Sequence, residues 1–282
     1  MDTSRFAMTA EEYLASQHIP VYLEDAISQL MEHKEEYPKV NPAKFLQDYF
    51  LSIQQRTHIL FREYNFLRAT PHNRASFIRT FWKSFRHIGD SGDLLNVREY
   101  HSLLCLLCPD FPLDLVQGTA RIIFLEDAMD SLTSFADFLY AFQVQFYFED
   151  FLHMCSSVYH HLVASLPSPR EAVYIPSESS PRQEKKHPKP VEHATPDGVE
   201  SRLFLEALTK KCAEATYSCP PIICLSKILN SASRVSFYGF LSRLAKSGAI
   251  NESVGMLPAK GSLYEGTDQE LTSPITRTQQ TS

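Results

Sequence analysis

Apolar positions in the first sixty residues recur at helical spacing. In EEYLASQHIPVYLEDAISQLMEHK, residues 11–34, Leu23, Ala26, Ile27, Leu30 and Met31 fall on one face, while Glu24, Asp25, Glu32 and Lys34 take the other. Ile19 and Pro20 stand just before this stripe, where proline is tolerated in a helix's first turn. The segment EEYPKVNP breaks the helix, and Asn41 can cap and Pro42 can open a second one, striped by Phe45, Leu46, Tyr49, Phe50 and Ile53. HILFREYNFLRAT, residues 58–70, reads as helical with mixed faces. Four further helices are predicted between 72 and 165. The first carries Phe77, Ile78, Phe81, Trp82 and Phe85, and the second Val97, Tyr100, Leu103, Leu104 and Leu107. The third runs from Leu115 to Ala128, and the fourth from Ser134 through FADFLYAFQVQFYFEDFLHMCSSVYHHLV. The aromatics Phe135, Phe138, Phe142, Phe146 and Phe148 are too dense for a solvated helix, which predicts a buried central helix. They are also more than one buried stripe holds, so one side should face a partner or the region beyond the next break. Phe135, Phe138, Phe142 and Phe146 are therefore candidate partner contacts.

The pattern then changes. Residues 166–197 hold seven prolines (167, 169, 176, 181, 188, 190 and 196) among serines and charges, the composition of a disordered linker. Helical periodicity returns in GVESRLFLEALTKKCAEA and ICLSKILNSASRVSFYGFLSRLAKSG, and from Gly261 onward the tail reads as disordered. The expected fold is all-α. It comprises a helical hairpin over 11–57, a helical core over 58–165, the linker at 166–197, a C-terminal helical region over 198–260 and a tail at 261–282.

One stretch raises a chemical question. FRHIGDSGDLLNVREYHSLL, residues 85–104, has the outline of an EF-hand: a helix, an Asp/Gly/Ser turn, an apolar residue, a Glu and a second helix. With Leu95 in the central apolar place and Glu99 as the last carboxylate, the first ligand position falls on Ile88, the third on Asp90 and the fifth on Gly92, and Asp93 stands where glycine should turn the chain. Calcium takes six to eight oxygens, and this loop supplies too few. A second copy lies in LEDAMDSLTSFADFLYAF, with Glu126 first, Ala128 third, Asp130 fifth, Thr133 in the apolar place and Asp137 last. The two read as a degenerate, EF-hand-like pair used as a helical scaffold, with a calcium-responsive protein as the alternative. Paired EF-hands can grip amphipathic helices, so losing the ion need not end partner binding.

Composition narrows the remaining classes. Glycine is scarce, 9 of 282 residues, which suits helices and disfavours phosphate-cradling loops. A net charge of −6 carries no nucleic-acid footprint. The amino-terminal residues lack a secretory pattern, and the apolar runs are too short for membrane insertion, which points to the cytoplasm. Six cysteines in such a compartment argue against disulfides. Cys105 and Cys108 form a CxxC inside the apolar run LLCLLC, and Cys219 and Cys224 are only a weak ligand pair. No P-loop, GxGxxG, GxSxG or HExxH is present, and neither a cofactor nor a metal is expected. Glu126-Asp127 and Glu149-Asp150 are helix neighbours that point apart, and His160-His161 lies at a helix end. The expectation is a protein without catalytic residues.

Two resemblances follow from these blocks. Ile19-Pro20-Val21-Tyr22-Leu23, then Pro42 with Phe45, Leu46, Tyr49 and Phe50, resembles the dimerisation/docking module of the cAMP-dependent kinase regulatory subunit. This implies that two chains form a four-helix bundle holding a partner's amphipathic helix. Ile19, Pro20, Leu23, Ile27, Leu30, Phe45, Leu46, Tyr49 and Phe50 would then contact partners, and a hairpin packed on its own chain is the alternative. The larger set YLASQHIPVYLEDAISQL, THILFREYNFLRATPHNRASFIRTFWKSFR, GDLLNVREYHSLLCLLCPDFPLDL, EDAMDSLTSFADFLYAFQVQFYFEDFL and YSCPPIICLSKILNSASRVSFYGFLSRLAK resembles the centriolar-satellite-associated regulators of the tubulin polyglutamylase complex. That family usually carries a longer Ser- and acid-rich tail. The resemblance implies a non-catalytic regulator that associates with polyglutamylase subunits, tubulin and centriolar-satellite scaffold proteins. Its expected places are satellites, the centrosome and the microtubule cytoskeleton, with consequences for microtubule glutamylation and cilia. The linker's Arg182, Lys185, Lys186, His187 and Lys189 are either a contact for acidic tubulin tails or a solvated charge run.

Overall fold

The computed structural model describes residues 8–37, 39–125, 129–165 and 198–259. They form an all-α fold with only two-residue strands. Helix α1 (Ala10–Ser16) opens on a capping box between Thr9 and Glu12, and α2 (Ile19–Glu36) starts with Pro20 in its first turn. Asn41 Oδ1 accepts from the Ala43 and Lys44 amides at the start of α3 (Pro42–Gln55), as the Asn-Pro pair predicts. The helix expected over 58–70 shortens to α4 (Tyr64–Arg68). Ahead of it Phe61 adopts the left-handed region at φ 56, which no continuous helix allows.

Next come α5 (Pro71–Ser91), β1 (Leu94–Leu95) and α6 (Val97–Cys105), then α7 (Leu113–Phe124), β2 (Thr133–Ser134) and α8 (Phe135–Tyr147). Strands β1 and β2 pair antiparallel, with Leu94 opposite Ser134 and Leu95 opposite Thr133. Two helix–loop–helix units are thus joined back to back through their loops. Local chemistry sets each turn: Gly92 at φ 75 ends α5, Asn96 and Glu99 form a capping box on α6, and Ser134 caps α8. Helix α7 ends at Leu125, φ 64, short of the expected Ala128, which lies outside the described residues.

The layout then repeats. Helix α9 (Glu149–Ala164), β3 (Val199–Glu200) and α10 (Ser201–Glu214) are followed by α11 (Ile222–Leu229), β4 (Arg234–Val235), α12 (Phe237–Lys246) and α13 (Gly248–Val254). Val199 stands opposite Val235 in the second small ladder. Helix α9 packs on α10 from across residues 166–197, and its Phe151, Cys155 and Tyr159 share a core with Phe204, Leu225 and Phe240. The single helix expected after Ser134 is therefore two. Phe148 breaks it at φ −100, ψ 28, and Arg74 explains where. Its guanidinium donates to the Tyr147 carbonyl at the end of α8 and pairs with Asp150 in the first turn of α9 at 2.9 Å. The two cores meet at α8. Phe138, Phe142 and Phe146 belong to the first, and Ala141 and Val144 to the second. Gln143 Nε2 donates to Asn251 Oδ1 (3.1 Å) and the Tyr140 hydroxyl to the Pro258 carbonyl (2.7 Å), fastening the carboxy-terminal elements to this helix.

Candidate partner-binding surface

Helix α2 carries two faces with different fates. Tyr22 and Ala26 are buried against the body, and the Tyr22 hydroxyl lies 2.7 Å from Thr70 Oγ1 and donates to Asn73 Oδ1 at 2.8 Å. Asp25 also turns inward. Its Oδ2 accepts from the Tyr49 hydroxyl (2.6 Å), Gln29 Nε2 (2.9 Å) and Arg62 Nη1 (3.0 Å). Leu23, Ile27 and Met31 point the other way, and Ile27 keeps 58% of its surface exposed. Phe50 and Leu51 of α3 are exposed as well.

Sequence periodicity puts Leu23, Ala26, Ile27, Leu30 and Met31 on one face of this helix and Glu24, Asp25, Glu32 and Lys34 on the other. The structure divides both faces: Arg62 and Tyr49 reach Asp25 from other elements and draw it inward while Glu24, Glu32 and Lys34 stay exposed, and Ala26 is buried while Leu23, Ile27 and Met31 stay outside. Of the expected docking residues, Leu23, Ile27, Phe50 and Pro20 are exposed, and Ile19, Leu30, Phe45 and Leu46 are half-buried. Tyr49 is buried and held by Asp25, so it is unavailable to a partner in this conformation.

The Asp25 cluster makes stability pH-dependent. Burial by itself would raise this carboxyl's pKa, but hydrogen bonds from Arg62, Tyr49 and Gln29 outweigh it and hold the pKa below its ordinary 3.8. A depressed carboxylate contributes stability that is fully present above the unfolded-state value and lost as pH falls through the folded one. Asp25→Asn should cost about 1.5–3 kcal/mol at neutral pH, the range for charged hydrogen bonds. In urea unfolding at several pH values, the gap between parent and variant should close on acidification below 3.8. A gap independent of pH would contradict this account.

Phe135, Phe138, Phe142 and Phe146 sit in the interior. Phe138 stacks on Tyr100 with ring centroids 3.8 Å apart, and the Tyr100 hydroxyl donates to the Thr133 carbonyl. Folded as described, α8 presents none of the four to a partner. Their density reflects a helix walled in on both sides, by its own unit and by the second one.

The loop that resembles a calcium site uses its oxygens elsewhere. Helix α5 runs on through Ile88 and Asp90 to Ser91, so the first ligand positions are helical. Asp90 lies 3.6 Å from His87, Asp93 accepts from Ser91, and Glu99 accepts the Asn96 amide at 2.8 Å. Glu126 and Ala128 of the second loop lie outside the described residues, as does the basic cluster at 182–189. Among the described residues no group of three His, Cys, Asp or Glu could hold a metal, and no helix is long and apolar enough to cross a membrane. Buried Cys108 donates to Asp110 at 3.1 Å, and burial first, then that carboxylate, push its thiol up to about 12. Cys219 is likewise pushed up to about 12, chiefly by burial, and both stay protonated. Glu149 pairs with Arg68 (3.2 Å) and Asp150 with Arg74, so these adjacent carboxylates serve the helix junction.

Sequence reasoning missed two features. One is the second helix–loop–helix pair. Its faint signal is the short run Arg234-Val235-Ser236, an apolar residue followed by a helix-capping serine, which echoes Leu95-Asn96 and Thr133-Ser134. The other is the Thr57–Glu63 loop, whose shape depends on partners distant in sequence.

The fold and surface define an all-α protein whose amino-terminal hairpin carries apolar side chains left exposed among the described residues. The chain belongs to the family of centriolar satellite-associated tubulin polyglutamylase complex regulator 1. The family model described as the CSTPP1 N-terminal domain matches residues 7–56. Among curated relatives bearing that name, the Bos taurus protein is 48% identical over 273 residues, covering 96% of this chain and 83% of the relative. The Homo sapiens protein is 46% identical over 96% of this chain and 82% of its own length, and the Danio rerio protein 44% over the same shares. No solved structure matches.

Proposed function

We propose that this protein is a non-catalytic adaptor that supports assembly or stability of the tubulin polyglutamylase complex, and through it microtubule glutamylation, cytoskeletal organisation and cilia. The relatives' names supply the complex and the centriolar satellites. The observation that carries the adaptor reading is the apolar side chains Leu23, Ile27 and Met31 of α2 and Phe50 and Leu51 of α3, left to solvent on a hairpin already fastened to the body through Tyr22, Ala26 and Asp25. A two-helix layer needs another helical layer to bury such side chains. A complex subunit supplies it in this reading. Tubulin and satellite scaffold proteins are reached within the assembled complex, in the cytoplasm at satellites, the centrosome and microtubules. The docking-type resemblance favours a second copy as another occupant, because two hairpins complete a four-helix bundle.

The Leu23→Glu/Ile27→Glu double variant is the test. Both side chains are solvated, so the melting temperature should stay within a few degrees of the parent. Burying two unpaired charges at the contact should weaken co-assembly with purified complex subunits at least 100-fold. Sedimentation at tens of micromolar separates the occupants, since only a second copy gives a dimer of the parent alone. Unchanged co-assembly and glutamylation with the double variant would refute the surface.

A further inference from the structure

Between α3 and α4 the loop Thr57–Glu63 is clamped at both ends and projects in the middle. On one side Ile59 is fully buried, and the buried His58 places Nε2 2.8 Å from Asn73 Oδ1 and stacks on His72. On the other side Arg62 pairs with Asp25 and Glu63 and lies over the Phe66 ring, 3.7 Å from its centroid. Between these anchors Leu60 and Phe61 turn outward. Phe61 is 76% exposed, more than any other large apolar side chain among the described residues, and holds φ 56. A bulky aromatic in the left-handed region is strained, and an exposed ring gains nothing from folding. The fold thus presents an exposed aromatic on a loop clamped at both ends, at a cost to itself, the arrangement expected of a preorganised binding anchor.

The surroundings state what it fits. Beside the loop, on the flank of α2 away from Leu23 and Ile27, lies a groove of about 980 Å³ lined by Glu24, Glu32, Glu36 and Glu63, among others. Arg62, its one arginine or lysine among the described residues, is already engaged by Asp25 and Glu63. We propose that Phe61, with Leu60, inserts into an apolar pocket of a protein partner whose rim carries lysine or arginine side chains that settle in this acidic groove. An acidic border disfavours nucleic acid and anionic lipid surfaces. This deepens the adaptor reading, on which it rests, but uses a different surface from the α2 stripe.

The experiment measures binding of the full chain to the remaining subunits of the tubulin polyglutamylase complex, assembled recombinantly, alongside thermal unfolding. Phe61→Gly is the informative variant, because glycine accepts φ 56 without strain. An anchor predicts binding weakened at least tenfold with a melting temperature equal to or above the parent's. A ring that serves the fold predicts a lower melting temperature, which would overturn the proposal. Glu24→Lys/Glu32→Lys should weaken binding at least tenfold, and parent binding should fall as salt rises; unchanged binding in either case overturns the basic rim. If Leu23→Glu/Ile27→Glu abolishes binding while Phe61→Gly binds like the parent, the adaptor reading stands and the anchor is wrong. If the parent does not bind, both fail. A parent dimer in sedimentation that Phe61→Gly dissolves would make the occupant a second copy and overturn the basic partner.

Discussion

Replacing Phe142 by alanine is expected to lower the unfolding free energy by about 3–5 kcal/mol, the range for truncating a fully buried aromatic. Phe142 is 0% exposed, and its ring lies 5.6–5.9 Å from those of Phe81, Phe111, Phe138 and Phe146, which come from three different parts of the chain. Those rings are themselves held by one another, so the void cannot close cheaply. The same helix forms the wall of the second core through Ala141 and Val144. The loss should therefore appear in the stability of both units. Urea unfolding followed by far-UV circular dichroism, with hydrogen exchange of amides in α10 and α12, checks this. A cost below about 1 kcal/mol would contradict the packing argument, and so would unaltered protection in the second unit.

Gly198→Ala should be nearly as damaging, for a different reason. Gly198 has φ 85, and a Cβ there would stand 2.0 Å from the Val235 carbonyl oxygen and 2.7 Å from the Ser236 amide nitrogen. Backbone atoms cannot swing aside as a side-chain tip can. The methyl must push β3 away from β4, loosening the Val199–Val235 pairing and the Tyr159 hydroxyl's hydrogen bond to the same carbonyl. A cost of about 2–4 kcal/mol is expected. Gly92→Ala is the control. It shares the positive φ, 75, but its added Cβ meets nothing within 4 Å, so only backbone strain of about 1–2 kcal/mol applies. If chemical denaturation shows the two variants equally destabilised, close approach of the strands is not what Gly198 provides.

Much of this protein was legible locally. Apolar spacing located the helices, Asn41-Pro42 announced the start of α3, and Leu95 and Thr133 marked loops that the structure pairs in one ladder. These signals act between residues a few positions apart, through caps, turns and one helix face, so a linear reading recovers them. The family was legible too, because its blocks lie in these same segments.

What tertiary structure alone decided involves choices between equally good local solutions. An amphipathic stripe states that a helix has two faces, not which is covered. On α2, Arg62 and Tyr49 settled that by binding Asp25, and Leu23, Ile27 and Met31 were left outside while Ala26 went in. An aromatic run states that a helix is hydrophobic all round, not whether protein or partner surrounds it. The rings of Phe81 on α5, Tyr100 on α6 and Phe111 settled that by packing on Phe135, Phe138, Phe142 and Phe146, while α12 covered the Ala141 and Val144 side. The break at Phe148 depends on Arg74, 74 positions earlier, and the pairing of α9 with α10 spans the 32 residues from 166 to 197. Phe61 stands in solvent because His58, Ile59 and Arg62 found partners on α5 and α2 and in the core. Each of these outcomes rests on contacts between residues distant in sequence. Their energies depend on where other elements lie, and no local pattern of apolar and polar positions encodes that.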